Sequence, residues 1–111
     1  MRAHIPIRLP SLANSRMHWR AMAALKQDQR WAAKCALRGK DIPTLPLIVT
    51  ITRIGPRGLD DDNLASACKY VRDQIAEAVG TDDGSPLYTW RYEQRIGKYG
   101  VDVDIVGREA Q

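Results

Sequence analysis

The chain has 111 residues and a mass of 12.5 kDa. Folding at this length hides roughly two-thirds of the unfolded surface, enough for one modest core and no second. Hydrophobic residues at 44% and charged residues at 27% exclude collagen-like, disordered and coiled-coil chains. The net charge of +4 conceals an uneven distribution. Residues 1–40 carry nine Lys/Arg against Asp28 alone, whereas residues 60–85 carry seven acids against Lys69 and Arg72. A basic half points to a polyanionic partner, and a compact acidic cluster to a metal ion. The longest apolar stretch, around Leu45–Ile51, is far short of the ~18 residues of a membrane helix, and Pro6 arrives before a signal-peptide core can form. Cys35 and Cys68 lack ligand-like spacing and sit on apolar helical stretches, so both are expected as buried, reduced thiols. These features predict a single-domain, cytoplasmic protein with no membrane association.

In chain order, Ile5–Leu9 alternates apolar and basic residues and predicts a first strand. Residues 10–15 form a loop in which Asn14 or Ser15 suits the cap of the next helix. That helix is expected from Met17 to Leu37, ending at Gly39. Winding it at 100° per residue places Trp19, Met22, Leu25, Ala33, Ala36 and Leu37 on one face. Arg20, Gln27, Arg30, Lys34 and Arg38 gather on the flank with Trp31 beside them. Leu47–Ile54, rich in Ile, Val and Thr, predicts a strand partly buried on both faces. Asp62–Val79 predicts a second helix with an apolar stripe of Leu64, Ala67, Cys68, Val71, Ile75, Ala78 and Val79, ended by Gly80. Tyr88–Ile96 and Val101–Val106 predict a hairpin across Gly97–Gly100. In that register Ile96 faces Val101 and Arg95 faces Asp102. The β-α-β-α-β-β order predicts an α+β domain with a mixed sheet and two main helices.

The chemistry concentrates at Leu59-Asp60-Asp61-Asp62-Asn63-Leu64. Three consecutive carboxylates repel one another unless something neutralises them. One of them capping the helix, by Asp61 or Asp62, explains one or two acids well and three poorly. In an extended lead-in, Asp60 and Asp62 point the same way and can chelate a hard divalent cation. Asp82-Asp83 follows the far end of the same helix. A helix of that length spans ~27 Å, so spacing alone does not bring Asp83 to Asp62. Lys69 is either a surface partner of Asp73 at i,i+4 or an ammonium leaning toward the carboxylates. Asp102 and Asp104 fall on the polar face of the expected hairpin and are not site candidates.

These residues resemble RusA-type Holliday junction resolvases. The resemblance lies in Asp60-x-Asp62-Asn63-Leu64 opening a helix, Lys69 and Asp73 along it, and the closing Asp82-Asp83. The first strand with Leu9-Pro10-Ser11 and Asn14 ahead of a basic segment is also similar. The resemblance implies a RusA-like fold and a homodimeric, magnesium-dependent endonuclease, typically phage-encoded, that nicks four-way DNA junctions in recombination and repair, with manganese as an alternative ion. It implies Asp60, Asp62 and Asp83 as metal ligands and catalytic acids, and Lys69 as the catalytic lysine. The family lysine follows the second Asp by four residues, where this chain has Ser66, so matching Lys69 implies three extra residues. Arg20, Arg30, Lys34 and Arg38, with Arg57 and Asn63, are the expected DNA contacts. Trp31 is a candidate to stack on an unpaired base or to cover a neighbouring subunit. The alternatives are a non-catalytic nucleic-acid-binding module, or a nuclease of this fold with another DNA substrate.

Overall fold

The computed structural model describes residues 1–11 and 18–109. The expected cap at Asn14 or Ser15 and the helix start at Met17 lie outside these residues. The elements are β1 (Arg2–Ile5), α1 (Trp19–Leu37), β2 (Leu47–Gly55), α2 (Asp61–Ala67), α3 (Lys69–Val79), β3 (Tyr88–Ile96) and β4 (Gly100–Gly107). The strands form one mixed sheet in the order β1-β4-β2-β3. β2 and β3 run parallel, joined by the α2–α3 crossover that parallel strands require, and β4 is antiparallel to both β1 and β2. Ala3, Ile5, Leu47, Val49, Ile51, Tyr88, Val101, Val103 and Ile105 lie in the core with Ala33, Leu37, Leu64, Val71 and Ile75 of the helices. Arg2, His4, Asp102 and Asp104 fall on the opposite face of the sheet by strand alternation. No helix among the described residues is long and apolar enough to cross a membrane.

Four expectations, for the first strand, α1, Cys35 and the hairpin, differ from the structure. The first strand is Arg2–Ile5 rather than Ile5–Leu9, because Pro6 has no N–H to extend the ladder; Ile7 N donates to Ile5 O at 2.8 Å in a tight turn there. On α1, Trp19 is 68% exposed, and fully buried Gln29 occupies the core face with Ala33 and Leu37; its Nε2 donates to Arg8 O at 3.3 Å. The described helix is capped by His18, whose Nδ1 accepts from Arg20 N. Cys35 is exposed, and only Cys68 is buried. Burial pushes the Cys68 thiol up to about 12, against a smaller opposing pull from Arg53.

The fourth correction is the largest: β3 and β4 are not a hairpin. β4 lies on the other side of β2, so Gly97-Lys98-Tyr99 steps over the end of β2, where Gly97 N donates to Gly55 O at 3.0 Å. The crossing is tight. A Cβ on Gly97 would lie 3.1 Å from Ile54 Cγ2, and one on Gly100 would lie 2.8 Å from the His4 ring. Arg95 and Asp102 still meet at 2.9 Å. They do so across β2, from positions beside Ile54 and Thr52, a reach that a guanidinium can make over two ~4.8 Å strand spacings.

Candidate functional site

α2 begins where the acids begin. Asp60 is its N-cap, with extended φ −69°, ψ 167°, and its Oδ1 accepts from Asn63 N at 2.9 Å. Asp61 and Asp62 already occupy the first helical turn. Asp60 and Asp62 therefore do not lie two apart on an extended segment, and Asp60, rather than Asp61 or Asp62, is the cap. All three carboxylates are exposed, and among the described residues none makes an ion pair. Their charge also suits the positive end of the helix. The preceding residue is fixed from β3. Gln94 Oε1 accepts from Leu59 N at 2.8 Å, and Gln94 Nε2 donates to Leu59 O at 2.6 Å.

Asp83 is anchored on the same strand. Its Oδ2 accepts from Arg72 Nε at 2.8 Å, and its carbonyl accepts from Arg72 Nη2 at 3.1 Å and Trp90 Nε1 at 2.9 Å. Arg72 Nη1 donates to Tyr92 Oη at 2.7 Å, and the guanidinium stacks 4.6 Å from the Trp90 ring centre. Burial pulls the Arg72 pKa down, but hydrogen bonds and charge from Tyr92 and Asp83 outweigh it and raise it. Tyr88 Oη donates to Thr81 O at 2.8 Å; burial, then the Asp82 and Asp83 carboxylates, raise its pKa. Trp90, Tyr92 and Gln94 alternate along β3 on one face. The two acidic segments, which spacing left unconnected, are thus held by Tyr92 and Gln94, about 7 Å apart along one strand.

The predicted helix 62–79 is interrupted once, at Cys68 (φ −85°, ψ −2°). Cys68 N is shared between Leu64 O and Ala65 O, both at 3.2 Å. Lys69 opens α3 just beyond this break and is exposed. Among the described residues it makes no ion pair, with Asp73 or any other carboxylate.

The basic flank divides. Arg30 donates to Gln74 Oε1 at 3.2 Å and to Glu77 Oε2 at 2.8 Å, so it ties α1 to α3 rather than standing free. Lys34 is exposed in a groove of about 350 Å³ shared with Ala23, Lys26, Gln27 and Trp31, the last 60% exposed. Arg38 is exposed beyond α1, and Arg20 lies over the Trp19 ring at 5.1 Å. Exposed Arg57 and half-buried Asn63 flank the three acids. The sequence reading missed Arg53, which is buried: its Nε donates to Leu9 O at 2.7 Å and its Nη1 to Arg57 O at 2.8 Å. It also missed Arg72, Tyr92 and Gln94. The only signal for Tyr92 and Gln94 was polar-tipped residues alternating on one face of a strand, and Arg72, on α3, gave none.

Among the described residues, no three His, Cys, Asp or Glu side chains converge as a metal-holding group. Magnesium asks for less, since it commonly takes one or two carboxylates and keeps several waters. Asp60, through its second oxygen, and Asp62 fit that demand in donor type. Asp83 fits less well while one of its oxygens is held by Arg72. Comparison of the chain with family models, curated proteins and solved structures finds no match.

Proposed function

We propose that this chain is a magnesium-dependent, structure-specific DNA endonuclease that resolves four-way junctions by paired nicks, as the resemblance to RusA-type resolvases implies. The observation that carries this reading is the anchoring of both acidic segments on one face of β3, Leu59 by Gln94 and Asp83 by way of Arg72 and Tyr92. Asp60 and Asp62 would hold the ion, with Asp83 joining if Arg72 releases it. When bound, the ion supplies an activated water and offsets charge on the scissile phosphate. Lys69, exposed and without an ion pair among the described residues, would add fixed positive charge near a bound phosphate. Lys26, Lys34 and Arg38 offer the sequence-independent backbone contacts that such an enzyme needs. A homodimer supplies the second active site for the opposed strand.

A second reading, a nucleic-acid-binding module without catalysis, is favoured by one observation. Two of the three expected ligands already do structural work, Asp60 as a cap and Asp83 as the partner of Arg72. The deciding experiment incubates the protein with an end-labelled four-way junction and a linear duplex of matched sequence, with and without Mg²⁺ or Mn²⁺. Metal-dependent nicks confined to the junction are expected. Binding without nicking selects the module, and equal nicking of duplex selects a nuclease with a different substrate.

A further inference from the structure

Arg53 is the only charged residue buried among those described, at 5% exposure. It follows Leu47, Val49 and Ile51 on the core-facing side of β2 by strand alternation. No carboxylate pairs with it among the described residues. Cys68 is near enough to feel its charge, but burial holds that thiol at about 12 and so neutral at pH 7. A buried charge left uncompensated is strongly destabilising. Of the five N–H groups on a guanidinium, two are engaged: Nε donates to Leu9 O at 2.7 Å and Nη1 to Arg57 O at 2.8 Å. Nη2 and the second hydrogen of Nη1 have no partner among the described residues. Residue 55 puts no side chain over that end of the fork; a Cβ on Gly55 would lie 3.0 Å from both Nη atoms. Ser11 follows Leu9 by two residues, at most about 7 Å of backbone, and its Oγ is buried without a hydrogen-bond partner. Gln29 Oε1 is likewise unpaired, but it can only accept. Buried polar groups are ordinarily paired, and the unpaired groups on Arg53 and Ser11 can both donate.

We propose that Arg53 and Ser11 form a phosphate site, with Arg53 Nη1 and Nη2 gripping two oxygens and Ser11 Oγ donating to a third. The anion supplies the missing negative charge and satisfies the unpaired donors together. A guanidinium fork suits phosphate oxygens, and a carboxylate has no third oxygen for the hydroxyl. The anion enters between residues 9–11 and residues 55–58, the two stretches whose carbonyls Arg53 holds. Exposed Arg57 brings a second positive charge to that entry. Arg53 is also the register partner of Gln94, one strand spacing of about 4.8 Å away, and Gln94 holds the residue before Asp60. A phosphate on Arg53 therefore lies at the end of the sheet from which the acidic turn departs. Two sources share this chemistry: free phosphate, and a phosphodiester of the DNA strand bound in the reading above.

Only the DNA source rests on the nuclease reading; the site itself is tested with metal chelated and without a cleavage assay, so its failure leaves that reading standing. Inorganic phosphate is titrated into the full chain in EDTA at constant ionic strength. Binding is followed by calorimetry and by the rise in Tm that a ligand of the folded state produces. Saturable binding that chloride does not reproduce is expected. Arg53→Lys keeps the charge but not the fork, and should weaken binding about tenfold. Ser11→Ala should also weaken it about tenfold, by loss of one hydrogen bond to a charged group. Without phosphate, Ser11→Ala should keep or raise the Tm, because it deletes a buried hydroxyl that has no partner. That variant decides the matter if Arg53→Lys does not fold. Duplex DNA without terminal phosphates is then added at saturation: loss of phosphate binding by the wild type identifies the DNA backbone as the source, and unchanged binding identifies free phosphate. A wild type that binds phosphate no better than chloride, a folded variant of either residue that binds it like wild type, or a Ser11→Ala whose phosphate-free Tm falls would each overturn the site.

Discussion

Gln94 grips Leu59 by both ends of its amide, accepting from Leu59 N at 2.8 Å and donating to Leu59 O at 2.6 Å. A single side chain of β3 thereby sets the position of the residue immediately before Asp60. Gln94→Ala removes both bonds. Because the pair is exposed, the stability loss should be about 1 kcal/mol, a fall of about 4 °C in Tm for a domain of this size. The proposed nicking rate should fall much further, since the acidic turn loses its anchor. Thermal denaturation and junction cleavage, measured on the same preparation, separate the two effects. Equal cleavage by wild type and variant would show that the clamp does not position the acidic turn for cleavage.

Asp60 and Asp62 should respond differently to the same replacements. Asn caps a helix about as well as Asp, so Asp60→Asn keeps the bond to Asn63 N while removing the charge a hard cation needs. It should lose Mg²⁺-dependent nicking with little change in Tm. Asp60→Ala should lose nicking and also about 1 kcal/mol of stability. Asp62 is not the cap, so both Asp62→Asn and Asp62→Ala should abolish nicking at nearly constant Tm, with DNA binding intact or slightly tighter. A fully active, metal-dependent Asp62→Asn would end its assignment as a ligand.

Much of this architecture was legible because its signals are local. Gly39 and Gly80 adopt the left-handed φ of +74° and +89° that mark helix ends, and β2 is buried on one face and half-buried on most of the other, as its Ile, Val and Thr content implied. The pairing of β3 and β4 was not legible. Arg95 and Asp102 satisfy a hairpin register on paper, and nothing in those two segments reports that β2 lies between them. The acidic motif was visible as a motif, but its backbone was not: whether Asp60 leads into the helix or begins it depends on where α2 starts, and Asp60 capping Asn63 moves that start one residue ahead of the expected position. The link from Asp83 to the rest of the site runs through Arg72 and Tyr92, twenty residues apart, and no spacing rule joins them.

Arg30 and Lys34, equivalent on a helical wheel, should separate in solution. Each phosphate contact contributes about 0.9 to the slope of log K against log salt on B-DNA. Lys34→Ala should lower that slope by about one contact and leave stability unchanged. Arg30→Ala should leave the slope nearly unchanged and lower the Tm, because Arg30 is spent on Gln74 and Glu77. Fluorescence anisotropy over a salt series, with thermal denaturation alongside, checks both. The reverse assignment would mean that Arg30 leaves α3 when DNA binds.

On the open sheet face, Asp102 accepts from His4 Nδ1 at 2.6 Å and from Arg95 Nη2 at 2.9 Å. The His4 hydrogen bond, opposed by desolvation and reinforced by Arg95, holds its carboxyl below the ordinary aspartate range. A carboxylate with a depressed folded pKa stabilises the protein above its unfolded pKa, and that contribution disappears as pH falls through the folded value. Asp102 is 40% exposed, so solvent screening keeps the effect modest. Asp102→Asn should narrow the stability difference between pH 6 and the acid limit, roughly the range over which such a carboxylate titrates. An acid unfolding curve identical to that of wild type would show that the cluster contributes nothing to folding.

Lys69 carries the sharpest prediction, because the break at Cys68 bears directly on it. An unbroken helix would start the Lys69 side chain about 10 Å along the axis from Asp62. At Cys68 the backbone bond is instead shared between Leu64 and Ala65, both at 3.2 Å, so α3 restarts at Lys69 on its own course. With Asp73 making no ion pair to it among the described residues, the ammonium is free to meet a phosphate held near the acidic turn. Lys69→Ala should therefore lower the cleavage rate far more than junction affinity, since the charge acts as the transition state forms. Ser66 is exposed one turn earlier, at the spacing of the resembled family. Ser66→Lys in the Lys69→Ala background should return part of the rate by supplying an amine from the preceding helix. Single-turnover cleavage, measured beside anisotropy titrations, distinguishes rate from affinity. A Lys69→Ala protein that cleaves at the wild-type rate would make this lysine a solvated surface residue and place the catalytic charge elsewhere.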